Sequence, residues 1–355
     1  MPYTLNEKLK DLLPYNPISG EYPIRLDANE SFLELPMDLL EKAQYAMAGI
    51  LFNRYPDPYA TDLCRAFAAY YGVDPALVTA GNGSDEWISI IAESFLMRGD
   101  KLMTVEPDFS MYRFYGSLAE AEGIVFHKKD DLTIDVDELI AAVNGNDVKL
   151  LLFSNPCNPT SLGLCREDVR KLITSVSALV VLDEAYMDFW DQSLLGEAAQ
   201  YDNLIILRTC SKAFGMAAIR LGFAVANPTL TRTLRAVKSP YNVNSVTQKI
   251  GEIVLSDPGL LHEALDQIVT SRKELETAMK GLEARDPEQM HVFTSCTNFV
   301  LVRMPRAKEV FEGLLSRGIA VRFMGDTLRI TAGSEEENEQ LLKNFESLLS
   351  SSTNP

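Results

Sequence analysis

The residue whose setting most sharply limits its chemistry is Lys212. It lies in Thr209-Cys210-Ser211-Lys212-Ala213-Phe214-Gly215-Met216, just after Leu204-Ile205-Ile206-Leu207, an apolar β-branched run that predicts a buried strand. A free ammonium at the end of such a strand is costly. The cost is relieved by a depressed pKa or by covalent conversion to an imine. Ser211 and Arg220 add a hydroxyl and a guanidinium, the donors a phosphate monoester needs. Together they point to pyridoxal phosphate held as a Schiff base, although a surface lysine at a strand-to-helix turn has the same local sequence.

Other residues extend that chemistry. Asp183 follows the apolar run Ala178-Leu179-Val180-Val181-Leu182. A buried carboxylate there would keep a pyridine nitrogen protonated, and an acidic helix cap is the alternative. Tyr186, three residues on, and Asn158, held between Pro156 and Pro159, could hydrogen-bond a phenolic oxygen beside the imine. Phe109 offers a stacking face or ordinary core packing. Gly83-Ser84-Asp85 sits between a short strand and a helix start, where free N–H groups favour an anion; a plain capped helix reads the same. Arg322 and Arg329 follow apolar strand residues and suit a carboxylate or phosphate, or else a solvent-facing strand surface. Tyr55 is presented by a proline-fixed loop, Asn53-Arg54-Tyr55-Pro56-Asp57-Pro58.

These residues need a scaffold of strands with functional ends. Near-continuous apolar strands at 101–105, 149–153, 178–182 and 204–207 alternate with helical patterns, as in a parallel α/β sheet whose ligands bind at the strand ends. Residues 221–226 read as a further strand, 228–285 as mostly helical, and the remainder as a smaller α+β domain. A helix is expected at about 166–176. The 355 residues suit two domains. The net charge, 33 − 50 = −17, argues against nucleic acid or an anionic membrane as partner. No apolar run reaches the length of a membrane span, and the N-terminus lacks a signal-peptide core, so a cytoplasmic protein is expected. Five scattered cysteines without a CxxC pair and three separated histidines suggest reduced thiols and no metal site. Gly81-Asn82-Gly83 lacks the third glycine of a dinucleotide fingerprint, which disfavours a nicotinamide dehydrogenase.

The assembled pattern resembles the fold type I pyridoxal-phosphate enzymes and, within them, the class II histidinol-phosphate aminotransferase family. The matching stretches are Leu26-Asp27-Ala28-Asn29-Glu30, Arg54-Tyr55-Pro56-Asp57, Gly81-Asn82-Gly83-Ser84-Asp85-Glu86 and Pro107-Asp108-Phe109-Ser110-Met111-Tyr112. They continue with Asn158-Pro159-Thr160, Asp183-Glu184-Ala185-Tyr186, Ser211-Lys212-Ala213-Phe214, Arg220-Leu221-Gly222-Phe223, Thr297-Asn298-Phe299 and Leu328-Arg329-Ile330-Thr331. They keep the family's order from about residue 14 to 345.

The resemblance implies a large α/β domain (30–240) with a mostly parallel seven-stranded sheet. A small α+β domain (241–355) and an N-terminal arm (1–29), packed on the small domain or a dimer partner, complete the expected fold. It implies Lys212 as the imine lysine, with Asp183 and Tyr186 as its catalytic neighbours. Gly83, Ser84, Asp85, Phe109, Asn158, Ser211 and Arg220 complete the cofactor set. Tyr55 would reach the cofactor of the other subunit in a homodimer, and Tyr15 of the arm the partner's substrate pocket. Arg329, with Arg322 and Asn158, would bind the substrate's anionic end. The implied reaction is amino transfer between histidinol phosphate and 2-oxoglutarate in histidine biosynthesis, through the Lys212 Schiff base and a 1,3-proton shift. Threonine-phosphate decarboxylases and aromatic amino-acid aminotransferases share the pattern and stay open as alternatives. A non-catalytic regulator on this fold would usually carry an added DNA-binding domain. The sequence departs from the family at Phe109 (commonly tyrosine), Ser161 and Ala218 (commonly glycine) and Ser31 (commonly asparagine).

Overall fold

Strands form where short apolar runs alternate their side chains between two covered faces. In the computed structural model, which describes residues 3–10, 12–14 and 17–350, twelve such strands build two sheets. They are β1 (Ile24–Leu26), β2 (Val78–Gly81), β3 (Lys101–Glu106), β4 (Glu122–His127), β5 (Leu150–Ser154) and β6 (Leu179–Asp183). The chain continues with β7 (Leu204–Thr209), β8 (Gly222–Ala226), β9 (His291–Val292), β10 (Phe299–Arg303), β11 (Ile319–Met324) and β12 (Thr327–Thr331).

The larger sheet has the order β2-β8-β7-β6-β5-β3-β4. Its pairings are parallel from β4 across to β7, and β8 runs against both β7 and β2. The expected seven-stranded, mostly parallel sheet is therefore present. Its two faces feed separate cores: Leu151 and Phe153 of β5 pack into one cluster, Leu150 and Leu152 into the other. Because β2, β5, β6 and β7 point the same way, Gly81, Ser154, Asp183 and Thr209 finish along one edge. Ser154 lies directly beside Asp183 in the ladder.

The smaller sheet, β1-β11-β12-β10-β9, is antiparallel except where β1 joins β11. The expected arm thus contributes a strand, with Ile24 and Leu26 in the small core. Beyond residue 240, Val243, Val254, Leu255, Leu261 and Ile268 still pack into the large core. Leu275, Met279 and Leu282 belong to the small one. The change of core therefore falls inside the helix Pro258–Glu283, past the boundary expected from sequence. A continuous amphipathic helix carries no break that composition could reveal.

Candidate active site

Asp183 ends β6 and is only 4% exposed. Tyr112 Oη donates to Oδ2 (2.8 Å) and the Ala185 N–H to Oδ1 (3.1 Å). Among the described residues no cation stands at ion-pair distance. Burial therefore pushes its pKa up to about 7, against the pull of the Tyr112 hydrogen bond. Tyr112 rises from the helix Met111–Leu118 and meets Phe109 edge to face at 5.5 Å between ring centroids. The Ser154 N–H (3.0 Å) and hydroxyl both donate to Asp108, tying the Phe109 loop to the end of β5.

A second cluster surrounds the N-terminus of the helix Ser84–Phe95. Gly83 precedes that helix at φ +85°, and no side chain caps the first turn. A Cβ on Gly83 would come within 2.9 Å of the Arg220 guanidinium, and one on Gly222 within 2.4 Å of the Ser84 nitrogen. Only glycines let β8, the helix start and Arg220 converge so closely. Thr209 Oγ1 donates to Ser211 Oγ (3.0 Å), and Arg220 reaches Ser211 Oγ at 3.5 Å. Free N–H groups, a hydroxyl and a guanidinium therefore face one place, as an anion requires. One Asp85 oxygen accepts from Tyr115 Oη (3.0 Å).

Lys212 follows β7 and is half-buried, its Nζ donating to the Ala28 carbonyl (2.9 Å). Burial first, then the Arg329 and Arg220 charges, lower its pKa to about 8, with Glu30 opposing. Tyr186 is buried, and its Oη accepts from Asn29 Nδ2 (2.8 Å). Burial raises its pKa to about 12.

The small sheet supplies the cationic wall. Arg329 on β12 and Arg322 on β11 are direct cross-strand partners, so both side chains leave the same face. Arg329 donates to Asn158 Oδ1 and to the Asp27 carbonyl (2.6 Å), and its guanidinium lies 5.5 Å from the Phe299 ring centre. Tyr55 is 81% exposed and stacks on Tyr241 at 4.5 Å, away from Lys212's contacts within this chain. Tyr15 lies outside the described residues.

The structure thus gathers Asp183, Tyr186, Lys212, Ser211, Arg220, Asn158 and Arg329 along the strand ends. Tyr112, Asp108, Ser154, Asn29 and Thr331 are supporting residues to which sequence reasoning gave no role. All but Ser154 lie in the stretches that resemble the family, which marked them without giving them a role. Ser161 occupies a left-handed backbone (φ 62°) where the family commonly has glycine. Its hydroxyl donates to the Thr294 carbonyl (3.1 Å), a compensation glycine cannot make.

This donor set fits pyridoxal 5′-phosphate: an unpaired buried carboxylate for a protonated ring nitrogen, an anion cradle, and an amine of lowered pKa. The family profile described as aminotransferase class I and II matches residues 22–345. The chain belongs to that aminotransferase family. A histidinol-phosphate aminotransferase of Clostridium novyi (strain NT) is 41% identical over 339 residues, 94% of either chain. The crystal structure of histidinol-phosphate aminotransferase from Sinorhizobium meliloti in complex with pyridoxal-5′-phosphate superposes with a TM-score of 0.84 at 23% identity. It covers 93% of this chain and 92% of that one. An L-threonine-O-3-phosphate decarboxylase from Porphyromonas gingivalis reaches 0.77 at 22% identity, covering 92% and 99%. At such identities the two structures speak for the fold of this aminotransferase.

Proposed function

We propose that this aminotransferase moves an amino group between histidinol phosphate and 2-oxoglutarate, in histidine biosynthesis, with pyridoxal 5′-phosphate at Lys212. One observation carries the substrate reading: Arg322 and Arg329 stand opposite each other on one face of the small sheet. Two guanidiniums leaving one face can direct their N–H donors at a single anion. A phosphate presents three oxygens to such a pair, and the carboxylate of a dicarboxylic keto acid presents two.

When bound, pyridoxal phosphate supplies an aldehyde that carries the amino group and a ring that accepts electrons. Asp183 would hold a proton on the ring nitrogen, and a cation at that position would return it to its ordinary, ionised state. The Gly83–Ser84 turn, Ser211 and Arg220 hold the phosphate. Lys212, with a pKa near 8, has a neutral fraction at physiological pH and moves the proton at the substrate's α-carbon. Tyr186 and Asn158 would hydrogen-bond the phenolic oxygen, Phe109 would stack on the ring, and Arg329 with Arg322 would anchor the anionic end.

The site is completed across a homodimer. Tyr55, Phe52, Leu51 and Tyr45 are all strongly exposed around one proline-stiffened loop, an apolar surface suited to a second copy. Tyr55 then reaches the partner's cofactor. Among the described residues no helix is long and apolar enough to cross a membrane. All five cysteines are free, as a cytoplasmic location favours.

The test is turnover of the loaded protein with histidinol phosphate, threonine phosphate, phenylalanine and aspartate, each with 2-oxoglutarate. Glutamate formation fastest from histidinol phosphate is expected. Carbon dioxide release from threonine phosphate without glutamate would make the protein a decarboxylase instead.

A further inference from the structure

Three consecutive carbonyls after β1 hold the site together. Asp27 O accepts from Arg329, Ala28 O from Lys212 (2.9 Å) and Asn29 O from Asn298 Nδ2 (3.1 Å). Asn29 itself is 1% exposed and adopts φ 54°, a left-handed conformation that asparagine tolerates better than most residues. Its side chain bridges the two sheets: Nδ2 donates to Tyr186 Oη (2.8 Å), and Oδ1 accepts from Thr331 Oγ1 (3.2 Å).

The direction of every proton in that bridge is fixed. An amide can ordinarily be turned over without changing its outline. Here the main-chain N–H of Asn29, which cannot turn over, also donates to Thr331 Oγ1 (3.0 Å). Among the described residues the Thr331 hydroxyl donates to the Asn29 amide oxygen alone, and turning the amide over would leave that buried proton without an acceptor, so the amide oxygen faces Thr331. Nδ2 must then face Tyr186. Tyr186 Oη is thereby made an acceptor toward Asn29, and its own proton is left to donate. Among the described residues Tyr186 donates to no other group.

We propose that Asn29 is a positioning residue: through the chain Asn29 N–H, Thr331 hydroxyl and Asn29 amide it makes Tyr186 a donor toward the phenolic oxygen of the cofactor. This rests on the pyridoxal phosphate reading above. The charged and titratable groups acting on Tyr186 are Arg329 on β12, Asp183 on β6 and Cys157 after β5. None of them offers a competing acceptor on the Asn29 side.

A hydrogen bond donated to the phenolic oxygen disperses its negative charge and weakens its hold on a neighbouring proton. Losing that donor should therefore raise the pH midpoint of the loaded protein's colour change. The experiment measures that midpoint in wild type, Tyr186→Phe, Asn29→Asp, Asn29→Gly and Thr331→Val. It also measures Tyr186 ionisation by ultraviolet titration of the cofactor-free proteins, with Tyr186→Phe as blank. Asn29→Asp keeps the shape but presents an oxygen to Tyr186, drawing the phenolic proton away. Its midpoint should rise by roughly one pH unit, as in Tyr186→Phe, about the value of one hydrogen bond. In its cofactor-free form Tyr186 should ionise at higher pH than in wild type.

Asn29→Gly, which retains the left-handed backbone, and Thr331→Val, which frees the amide to turn, should give smaller upward shifts. If Asn29→Asp does not fold, the Asn29→Gly shift decides. Wild-type midpoints in both Asn29 variants, with Tyr186→Phe shifted, would overturn the proposal. So would an unshifted Tyr186→Phe. A wild type that takes up no pyridoxal phosphate would overturn the cofactor reading as well, and shows itself before any variant is compared.

Discussion

Asp183 and Glu184 are consecutive residues at the end of β6, both buried, and their carboxylates are treated in opposite ways. Glu184 lies in a closed cluster. Arg208 stands 2.9 Å from Glu184 and 2.8 Å from Asp188, with its guanidinium 4.9 Å above the Tyr71 ring centre. Ser193 and the Leu194 N–H complete the Glu184 contacts (2.7 and 3.2 Å). Asp183, facing the other side of the strand, has a phenol and one N–H, and its partner cation must come from outside the chain. A buried charge neutralised internally is architecture; a buried charge left for a ligand is a site.

The comparison is sharpened most by changes that separate activity from stability. Lys212→Ala should lower kcat by about 10²- to 10⁴-fold, the usual worth of a positioned acid–base group. Its melting temperature should stay near that of the wild type. Turnover at the wild-type rate would remove Lys212 from the mechanism.

Arg208→Met should do the reverse. It strands Glu184 and Asp188 without a cation, and loss of one partner of a buried pair costs about 3–5 kcal/mol. Denaturant unfolding checks this. A near-neutral result would show that the closed cluster is not held by charge.

Arg329→Ala removes a charge-assisted contact of about 1.5–3 kcal/mol. A ten- to hundredfold loss in kcat/KM, about that energy, is expected in both half-reactions, while cofactor affinity holds. Arg322→Ala should hurt the phosphorylated amine more than the keto acid. Intact values in Arg329→Ala would remove the small sheet from the substrate site.

The remaining effect is on stability against pH. In the cofactor-free protein the Asp183 pKa is raised to about 7. Its favourable contribution is therefore present below the unfolded value near 3.8 and is lost as pH rises through 7. Asp183→Asn should match the wild type near pH 4 and melt a few degrees higher at pH 8. Parallel curves would mean that the carboxylate has a cation after all.

The open half of this comparison was legible in the sequence, and the closed half was not. Lys212, Asp183 and Asn158 each interrupt or follow an apolar run, so the strand that positions them also announces them. Arg208 directly follows such a run too, but finds Asp188 and Glu184 only through the fold. Asn29 and Tyr112 are ordinary residues until Tyr186 and Asp183 arrive from 157 and 71 positions away. β4 went unread because Glu122-Gly123-Ile124-Val125-Phe126-His127 is a half-exposed edge strand without a continuous apolar core. Arg322 and Arg329 were legible as strand arginines, but their facing register was not, because register depends on the turn between β11 and β12.

The most direct measurement is the site of covalent attachment. The protein is loaded with pyridoxal phosphate, reduced with borohydride, digested and mapped by mass spectrometry. A single modified peptide is predicted, spanning Thr209 to Arg220 with the label on Lys212. A label on another lysine, or one spread over several, would contradict the site described here.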